Sequence, residues 1–399
     1  MRIRKDYMVI LFAIYVASYF YSAFHNYTVG NIEYITLLLL YSGAVLKVYP
    51  KTRGFSSISS KMIFFHEFKR VFVMVMGLAG ISLFFQTIHL SSNLDLLRQI
   101  FFLICPAFTV FLLFNSKRVE IDVFIDIVLF FAVIFFVAKF GNLINMATIS
   151  KINFSESYSP FEVSTSSITD IFFYCCAFYC YRKKKVRFLI SAFFCFLSFK
   201  RMMVAGLLVL TVLLFFIEPL QKLLKITEKK KDFLYRNIYR GGIILFTLVP
   251  FLLQLLMTDS VANIVRSITG MDINDFVKGR FEILNYLIDN HPTNLGLGTV
   301  VKFMAFGPNM VMRKVSALHN DLYRLYYETT MIGLFSFVYT QFKNAKVSNT
   351  SIVLTFWLMI NLIISNTLTN VISMMLFYML ICEFNYFPSR REENEPKNI

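Results

Sequence analysis

The chain has 399 residues, of which 57% are hydrophobic and 16% are charged. Soluble domains carry about 25% charged residues, so this composition excludes an ordinary water-soluble fold. The net charge of +16 is divided among short basic clusters between apolar runs. That distribution is typical of the cytoplasmic loops of membrane proteins and argues against a nucleic-acid partner. The six cysteines lie in or beside apolar runs, and we expect them to be reduced core residues.

The first element is an apolar run that follows the basic residues Arg2, Arg4 and Lys5. A cleaved signal peptide has a shorter apolar core and a small-residue cleavage site, so this run predicts a retained membrane span. A helix needs about 20 apolar residues to cross a bilayer. By this criterion the chain is an all-α integral membrane protein with about 12 spans, predicted at residues 7–24, 32–49, 71–90, 99–115, 121–140, 167–181, 186–198, 202–217, 241–257, 326–342, 351–364 and 371–384. The distribution of Lys and Arg predicts that both termini are cytoplasmic.

Three parts follow from this pattern. Residues 1–257 form an N-terminal transmembrane bundle, in which 186–217 is a helical hairpin with Lys200 and Arg201 at its outer tip. Residues 258–325 form one large extracytoplasmic loop with short amphipathic helices, of which one ends near His291-Pro292 and another spans about 318–327. Gly296-Leu297-Gly298 predicts a turn between them. Residues 326–399 form the last transmembrane helices and a cytoplasmic tail.

Basic residues on the predicted outer face are the first candidates for chemistry. The charge rule disfavours them there, so those that occur suggest an anionic ligand. Arginine suits phosphate because its planar guanidinium donates two hydrogen bonds at once. The alternative is that these residues are solvated or acid-paired surface charges. This alternative fits Lys278, Lys302 and Lys314 best and fits Arg201 and Arg280 least. The candidates beyond those two are Lys200, Arg266, Arg313 and Arg324.

His319-Asn320 is the second candidate, because a histidine side chain can accept a proton at neutral pH. Tyr323 follows four residues later, which predicts that His319 and Tyr323 share one helix face. His291 precedes a proline at a predicted helix end, where capping is the simpler interpretation of its role. The sequence contains no Gly-rich phosphate loop and no metal-ligand spacing, so we expect neither a metal nor another cofactor.

The order of these motifs resembles a known family. The series Arg280, His291-Pro292, Gly296-Leu297-Gly298, His319-Asn320, Tyr323, Glu328 and Gly333 resembles the O-antigen polymerase and O-antigen ligase superfamily. The hairpin Ser198-Phe199-Lys200-Arg201 resembles that family's Ser-Arg motif. Together these motifs cover about the C-terminal half of the chain. The chain departs from the family pattern at two positions that would contact the glycosyl donor. Lys200 replaces the usual serine, and the tryptophan expected after Arg280 is missing, with Tyr286 as a substitute.

The resemblance implies a GT-C-like, metal-independent glycosyltransferase at the outer face of the bacterial cytoplasmic (inner) membrane. Its donor and acceptor would be undecaprenyl-diphosphate-linked oligosaccharides, with membrane lipids and a chain-length regulator protein as further partners. His319 would act as general base, and Arg201 and Arg280 would stabilise the leaving diphosphate. The residues expected around the diphosphate and the sugars are Lys200, Arg266, Arg313, Arg324, Asn320, Tyr323 and His291.

The sequence is compatible with three functions. The resemblance to polysaccharide-cluster members favours a Wzy-type polymerase, which joins repeat units to each other. A ligase, which moves the finished glycan onto lipid A–core or protein, shares the same motifs. A lipid-linked oligosaccharide flippase belongs to a different class and would place ionisable residues inside its spans near the bilayer midplane. The predicted span interiors are almost uncharged, which disfavours transport.

Overall fold

The computed structural model describes most of the chain. The described residues are 6–25, 31–48, 62–89, 95–116, 121–151, 161, 167–198, 206–209, 228–269, 280–291, 293, 295–306 and 318–387. Over these residues the secondary structure is helical and contains no strand. The helices are α1 (Tyr7–Phe24), α2 (Ile32–Val48), α3 (Phe65–His89), α4 (Leu96–Ser116), α5 (Ile121–Phe140), α6 (Met146–Ile149), α7 (Ser167–Tyr181), α8 (Lys185–Leu197), α9 (Glu228–Leu256), α10 (Asp259–Thr269), α11 (Arg280–Asn290), α12 (Thr299–Phe306), α13 (Asp321–Ala345), α14 (Asn349–Ile364) and α15 (Val371–Tyr386).

Helices lie where the apolar runs predict them. Helices α1, α5 and α7 have the predicted bounds, and the predicted stretch 202–217 is described only at residues 206–209. Within the described chain, five helical segments are long and apolar enough to cross a membrane: Tyr7–Phe24, Phe65–Ile88, Leu96–Ser116, Ile121–Leu143 and Phe233–Leu256. The coarse prediction of a multi-pass, all-α membrane protein is confirmed.

The shorter apolar helices do not meet the same length criterion. Helices α7, α14 and α15 have 15, 16 and 16 residues. At 1.5 Å per residue they are about 22–24 Å long, whereas a hydrocarbon core is about 30 Å thick. The apolar runs of these helices therefore predict helices correctly but do not by themselves establish spans.

The chain divides into two compact units. Unit 1 consists of Met1–Phe68, Pro106–Ile226 and Ile372–Ile399, and unit 2 consists of Lys69–Cys105 and Thr227–Val371. In unit 1, α1 packs against α2 and α5, and α7 packs against α5 and α8. Helix α7 is buried on every side from Ile168 to Tyr181, which explains why its sequence is apolar on every face.

Unit 2 is built on α9, α13 and α14, which pack against one another, while α12 packs on α13. Helix α13 is interrupted at Thr330, whose φ of 67° and ψ of 179° are not helical. Such a φ is unusual for a β-branched residue. A Cβ atom at Gly333 would lie only 2.0 Å from Thr329 Oγ1, so the packing at this break requires glycine. The break divides α13 into two half-helices, and the candidate site lies at the residues that precede the first of them.

Candidate functional site

The candidate site is a cavity in unit 2, at the junction of the predicted outer loop and α13. The cavity has a volume of about 120 Å³. Eight apolar side chains line it, among them Leu256 at the end of α9, Phe281 on α11 and Ile364 at the end of α14. His319 and Asn320 are its polar lining residues. A mostly apolar lining with two polar groups is typical of small-molecule sites, but the volume is large enough only for part of a ligand.

His319 is half-buried and lies immediately before α13. The predicted shared helix face with Tyr323 is wrong, because the helix begins only at Asp321. Asn320 is the N-cap, and its Oδ1 accepts a hydrogen bond from the backbone N–H of Tyr323 at 2.9 Å. Because the helix begins only after this cap, His319 lies outside the helix, in the segment that lines the cavity.

Arg280 is the first residue of α11. Its side chain lies outside the described part of the structure, but the next residue, Phe281, lines the cavity together with His319. The residue that follows Arg280 and the histidine of the second motif therefore line one cavity. The predicted helix before His291-Pro292 is confirmed for the described residues, where α11 ends at Asn290.

Arg324 has a different environment from the one expected of a substrate-binding cation. Its side chain is 4% exposed, and its Nη2 lies 3.1 Å from Asp321 Oδ1. Its Nη1 donates a hydrogen bond to Asn366 Oδ1 at 3.3 Å. Asp321 Oδ2 in turn accepts the backbone N–H of Leu368 at 2.8 Å. The pair therefore fastens the loop between α14 and α15 to the start of α13, with its charges mutually compensated.

Tyr323 and His291 also have structural contacts. The Tyr323 phenol is buried and accepts a hydrogen bond from Gln254 Nε2 at 3.2 Å, which joins α13 to α9. Burial raises the pKa of Tyr323 above its usual 10.0, so the phenol stays protonated near neutral pH. His291 packs edge-on against Phe303, with ring centroids 4.8 Å apart, and its backbone oxygen accepts the Tyr327 hydroxyl at 2.6 Å. Neither residue lines the cavity.

None of the remaining candidates is a described lining residue of the cavity. Arg266 is exposed on α10. Lys200, Arg201 and Arg313 lie outside the described residues. Among the residues that the structure describes, no group of three His, Cys, Asp or Glu side chains is arranged to hold a metal ion. All six cysteines are buried.

The sequence left two features of the site unassigned. Leu253 and Leu256 line the cavity from the end of an apolar run, where no pattern distinguishes them from lipid-facing leucines. Glu328 is 1% exposed on α13, within the predicted span 326–342. An ionisable residue inside a predicted span was the available signal for a special role.

The comparisons with known proteins add no relative. The chain matches no protein-family model, no curated protein and no solved structure.

Proposed function

We propose that the chain is a polysaccharide polymerase that joins undecaprenyl-diphosphate-linked repeat units at the outer face of the bacterial cytoplasmic membrane. One observation carries the proposal: His319 and the helix that begins at Arg280 line the same cavity. The proposed architecture is GT-C-like, with twelve spans and both termini in the cytoplasm. The motif order that resembles the O-antigen polymerase and ligase superfamily supports this assignment.

The proposed chemistry is a displacement at an anomeric carbon. The acceptor sugar hydroxyl gives its proton to His319 as its oxygen forms the new bond to the anomeric carbon of the donor. The bond from that carbon to the diphosphate oxygen breaks, and undecaprenyl diphosphate leaves with the electron pair. Arg280 and Arg201 stabilise the charge that develops on the leaving oxygen. General base catalysis contributes about 10²–10⁴-fold to such steps.

We propose that the apolar part of the cavity holds the lipid carrier and that the sugars contact only its polar lining residues. Sugars need hydrogen-bond partners when they are buried, and His319 and Asn320 are the polar residues in the lining. The isoprene unit next to the diphosphate fits the apolar part. In this arrangement the cavity would hold the lipid carrier while His319 faces the acceptor hydroxyl, and holding both substrates in place would lower the entropic barrier.

Transport remains the second candidate because of one observation on α13. Glu328 is buried inside a predicted span, two residues before the helix break at Thr330. Broken helices and buried ionisable residues are common at transport sites. The Glu328 carboxylate, however, accepts hydrogen bonds from the backbone of Gly298 and Val300, which is a contact with the protein's own loop.

The test is the surface polysaccharide of the host strain after deletion of the gene, followed by complementation. A polymerase deletion leaves a single repeat unit on the acceptor, whereas a ligase deletion leaves long polymer on the lipid carrier. A transporter deletion leaves lipid-linked units at the cytoplasmic face. We expect His319→Ala to behave like the deletion at normal protein level, and His66→Ala, at an exposed histidine on α3, to restore the ladder. A normal ladder with His319→Ala would rule out the proposed mechanism.

A further inference from the structure

Glu328 is a buried acid that the proposed displacement does not use. Its side chain is 1% exposed on the first half of α13. Glu328 Oε1 accepts hydrogen bonds from the backbone N–H groups of Gly298 and Val300, each at 3.0 Å. These N–H groups belong to the start of α12, where a helix leaves N–H groups without intrahelical partners and carries a partial positive charge. A carboxylate is therefore the strongest acceptor the chain could place there.

The turn before α12 is fixed from both sides. The backbone N–H of Gly296 donates to the backbone oxygen of Glu328 at 3.1 Å, and the N–H of Leu297 donates to Ser82 Oγ at 3.0 Å. Gly296 has a φ of +99°, and a Cβ atom there would lie 3.1 Å from both Cβ and backbone O of Ser82. Glycine is thus required by the backbone conformation and by the close approach of α3. Three backbone N–H groups at this turn donate to Glu328, one to its backbone oxygen and two to its side chain.

The turn controls more than its own residues, because α12 shares a buried core with the helices around the cavity. Val300 and Met304 of α12 belong to one apolar cluster with Leu284 and Leu287 of α11 and with Tyr323 of α13. Leu284 also lines the cavity, as does Phe281, the neighbour of Arg280. Fixing the start of α12 on α13 therefore fixes α11 relative to the segment that carries His319.

We propose that Glu328 is a positioning residue for the glycosyl transfer: it anchors the start of α12 to α13 and thereby aligns the helix that begins at Arg280 with His319. The proposal rests on the proposed function. It assigns to Glu328 a hydrogen-bonding role, in which the carboxylate binds backbone N–H groups and neither carries a proton across the membrane nor touches the substrate. The same bonds would survive in a neutral side chain that keeps an oxygen acceptor at this point.

The test compares three variants of the full-length protein, purified in nanodiscs. Glu328→Gln keeps the acceptor, Glu328→Leu removes it at similar volume, and Thr329→Val is the matched control. Thr329 is fully buried beside Glu328, and its hydroxyl bonds to the backbone oxygen of Leu325 in its own helix. The first readout is hydrogen–deuterium exchange at the amides of Gly298 and Val300. The second is the kinetics of polymer formation from lipid-linked repeat units.

We expect Glu328→Leu to speed exchange at both amides and to lower kcat by about 100-fold with little change in KM, because small misplacements of catalytic groups cost about that much. Glu328→Gln should keep exchange slow and kcat within about threefold of wild type, and Thr329→Val should match wild type in both readouts. If Glu328→Gln is as inactive as Glu328→Leu while exchange stays slow, the charge itself is used and the positioning role is wrong. A wild-type kcat in Glu328→Leu would also show that the positioning role is wrong.

The two proposals fail in different ways. A wild-type protein that forms no polymer overturns the proposed function, and the positioning role with it, even if exchange at Gly298 and Val300 depends on Glu328. An active wild-type protein whose exchange at those amides is the same in Glu328→Leu overturns the positioning role alone.

Discussion

The polar residues of unit 1 and those of unit 2 are of similar types but have different surroundings. In unit 1, the turn between α7 and α8 carries Arg182, which lies 2.5 Å from Glu383 Oε1 on α15. Nearby, Lys184 lies 2.8 Å from Asp122 Oδ1 and Arg187 lies 2.9 Å from Asp126 Oδ2. Each of these three cations faces an acid, so the charges compensate one another and fasten the α7–α8 turn and α8 to α5 and α15.

In unit 2, Arg324 and Asp321 repeat that arrangement, whereas His319 lies in an apolar cavity and Glu328 binds backbone N–H groups. A buried charge near a helix end therefore has a structural role when an opposite charge compensates it. A polar side chain that lines an apolar cavity is the better indicator of chemistry. Arg324 is paired with Asp321 as Arg182 is with Glu383, although Arg324 also lines a small cavity of about 20 Å³, whereas His319 lines the larger apolar cavity.

The largest expected effect is the loss of one partner of the buried pair in unit 1. Arg182 is 5% exposed and Glu383 is fully buried, so Arg182→Ala removes an ion-pair partner from a buried carboxylate. We expect a loss of about 3–5 kcal/mol in the free energy of unfolding. The double variant Arg182→Met with Glu383→Leu should regain most of it, because apolar replacement of a buried pair is often neutral. Thermal unfolding and the amount of protein in the membrane report the stability of the single and the double variant. A double variant as unstable as the single one would show that the loss does not come from the unpaired charge.

The same test at Arg324 separates a structural cation from a substrate-binding one. Arg324→Met should cost about 2 kcal/mol, less than in unit 1, because Asp321 keeps its bond to the Leu368 N–H. Adding Asp321→Asn should restore stability and, with it, polymer formation. A stable double variant without polymer would instead show that Arg324 acts on the substrate. Polysaccharide gels at matched protein levels distinguish the two outcomes.

Filling the cavity should affect activity far more than stability. Leu256 lines the cavity, whereas the neighbouring Leu255 is 58% exposed on the same helix. We expect Leu256→Trp to lower the rate of polymer formation at least about tenfold, since it occupies space assigned to the substrate, at a stability cost of about 1 kcal/mol. Leu255→Trp is the matched control and should be near wild type. Equal rates in the two variants would mean that the cavity takes no part in the reaction.

The smallest effect is expected at the exposed cation of α10. Arg266→Ala should change the free energy of unfolding by no more than about 0.5 kcal/mol. If Arg266 attracts the diphosphate, it does so through solvent, and the resulting difference in rate should be less than about threefold and should vanish at high salt. A salt-independent loss comparable to that of His319→Ala would place Arg266 in the site after all.

The sequence predicted the helices well because an apolar run reports directly on burial in protein or lipid. The bounds of α1, α5 and α7 coincide with those runs, and Gly296 and Gly298 have the positive φ values that their turn suggested. The short helices α10 and α12 were not predicted, although the sequence of α10 is clearly amphipathic. The helix start at Asp321 was missed, although Asn320 is a typical capping residue.

The candidate site was predicted in part. His319 and Arg280 were singled out separately, but only the fold brings His319 and the start of α11 to one cavity. Contacts between distant parts of the chain escaped prediction altogether, because a single sequence does not indicate which acid meets which base. Arg182 with Glu383, and Glu328 with the start of α12, are of this kind.

The most direct test of the central claim is a reconstituted reaction. Purified protein in proteoliposomes would receive undecaprenyl-diphosphate-linked repeat units from the host strain, with a metal chelator present, and the products would be resolved by mass. We predict lipid-linked polymer that grows in steps of one repeat unit with release of undecaprenyl diphosphate, and a rate about 10²–10⁴-fold lower for His319→Ala than for His66→Ala. Absence of both polymer and released carrier from the wild-type protein, or equal rates in the two variants, would contradict the account.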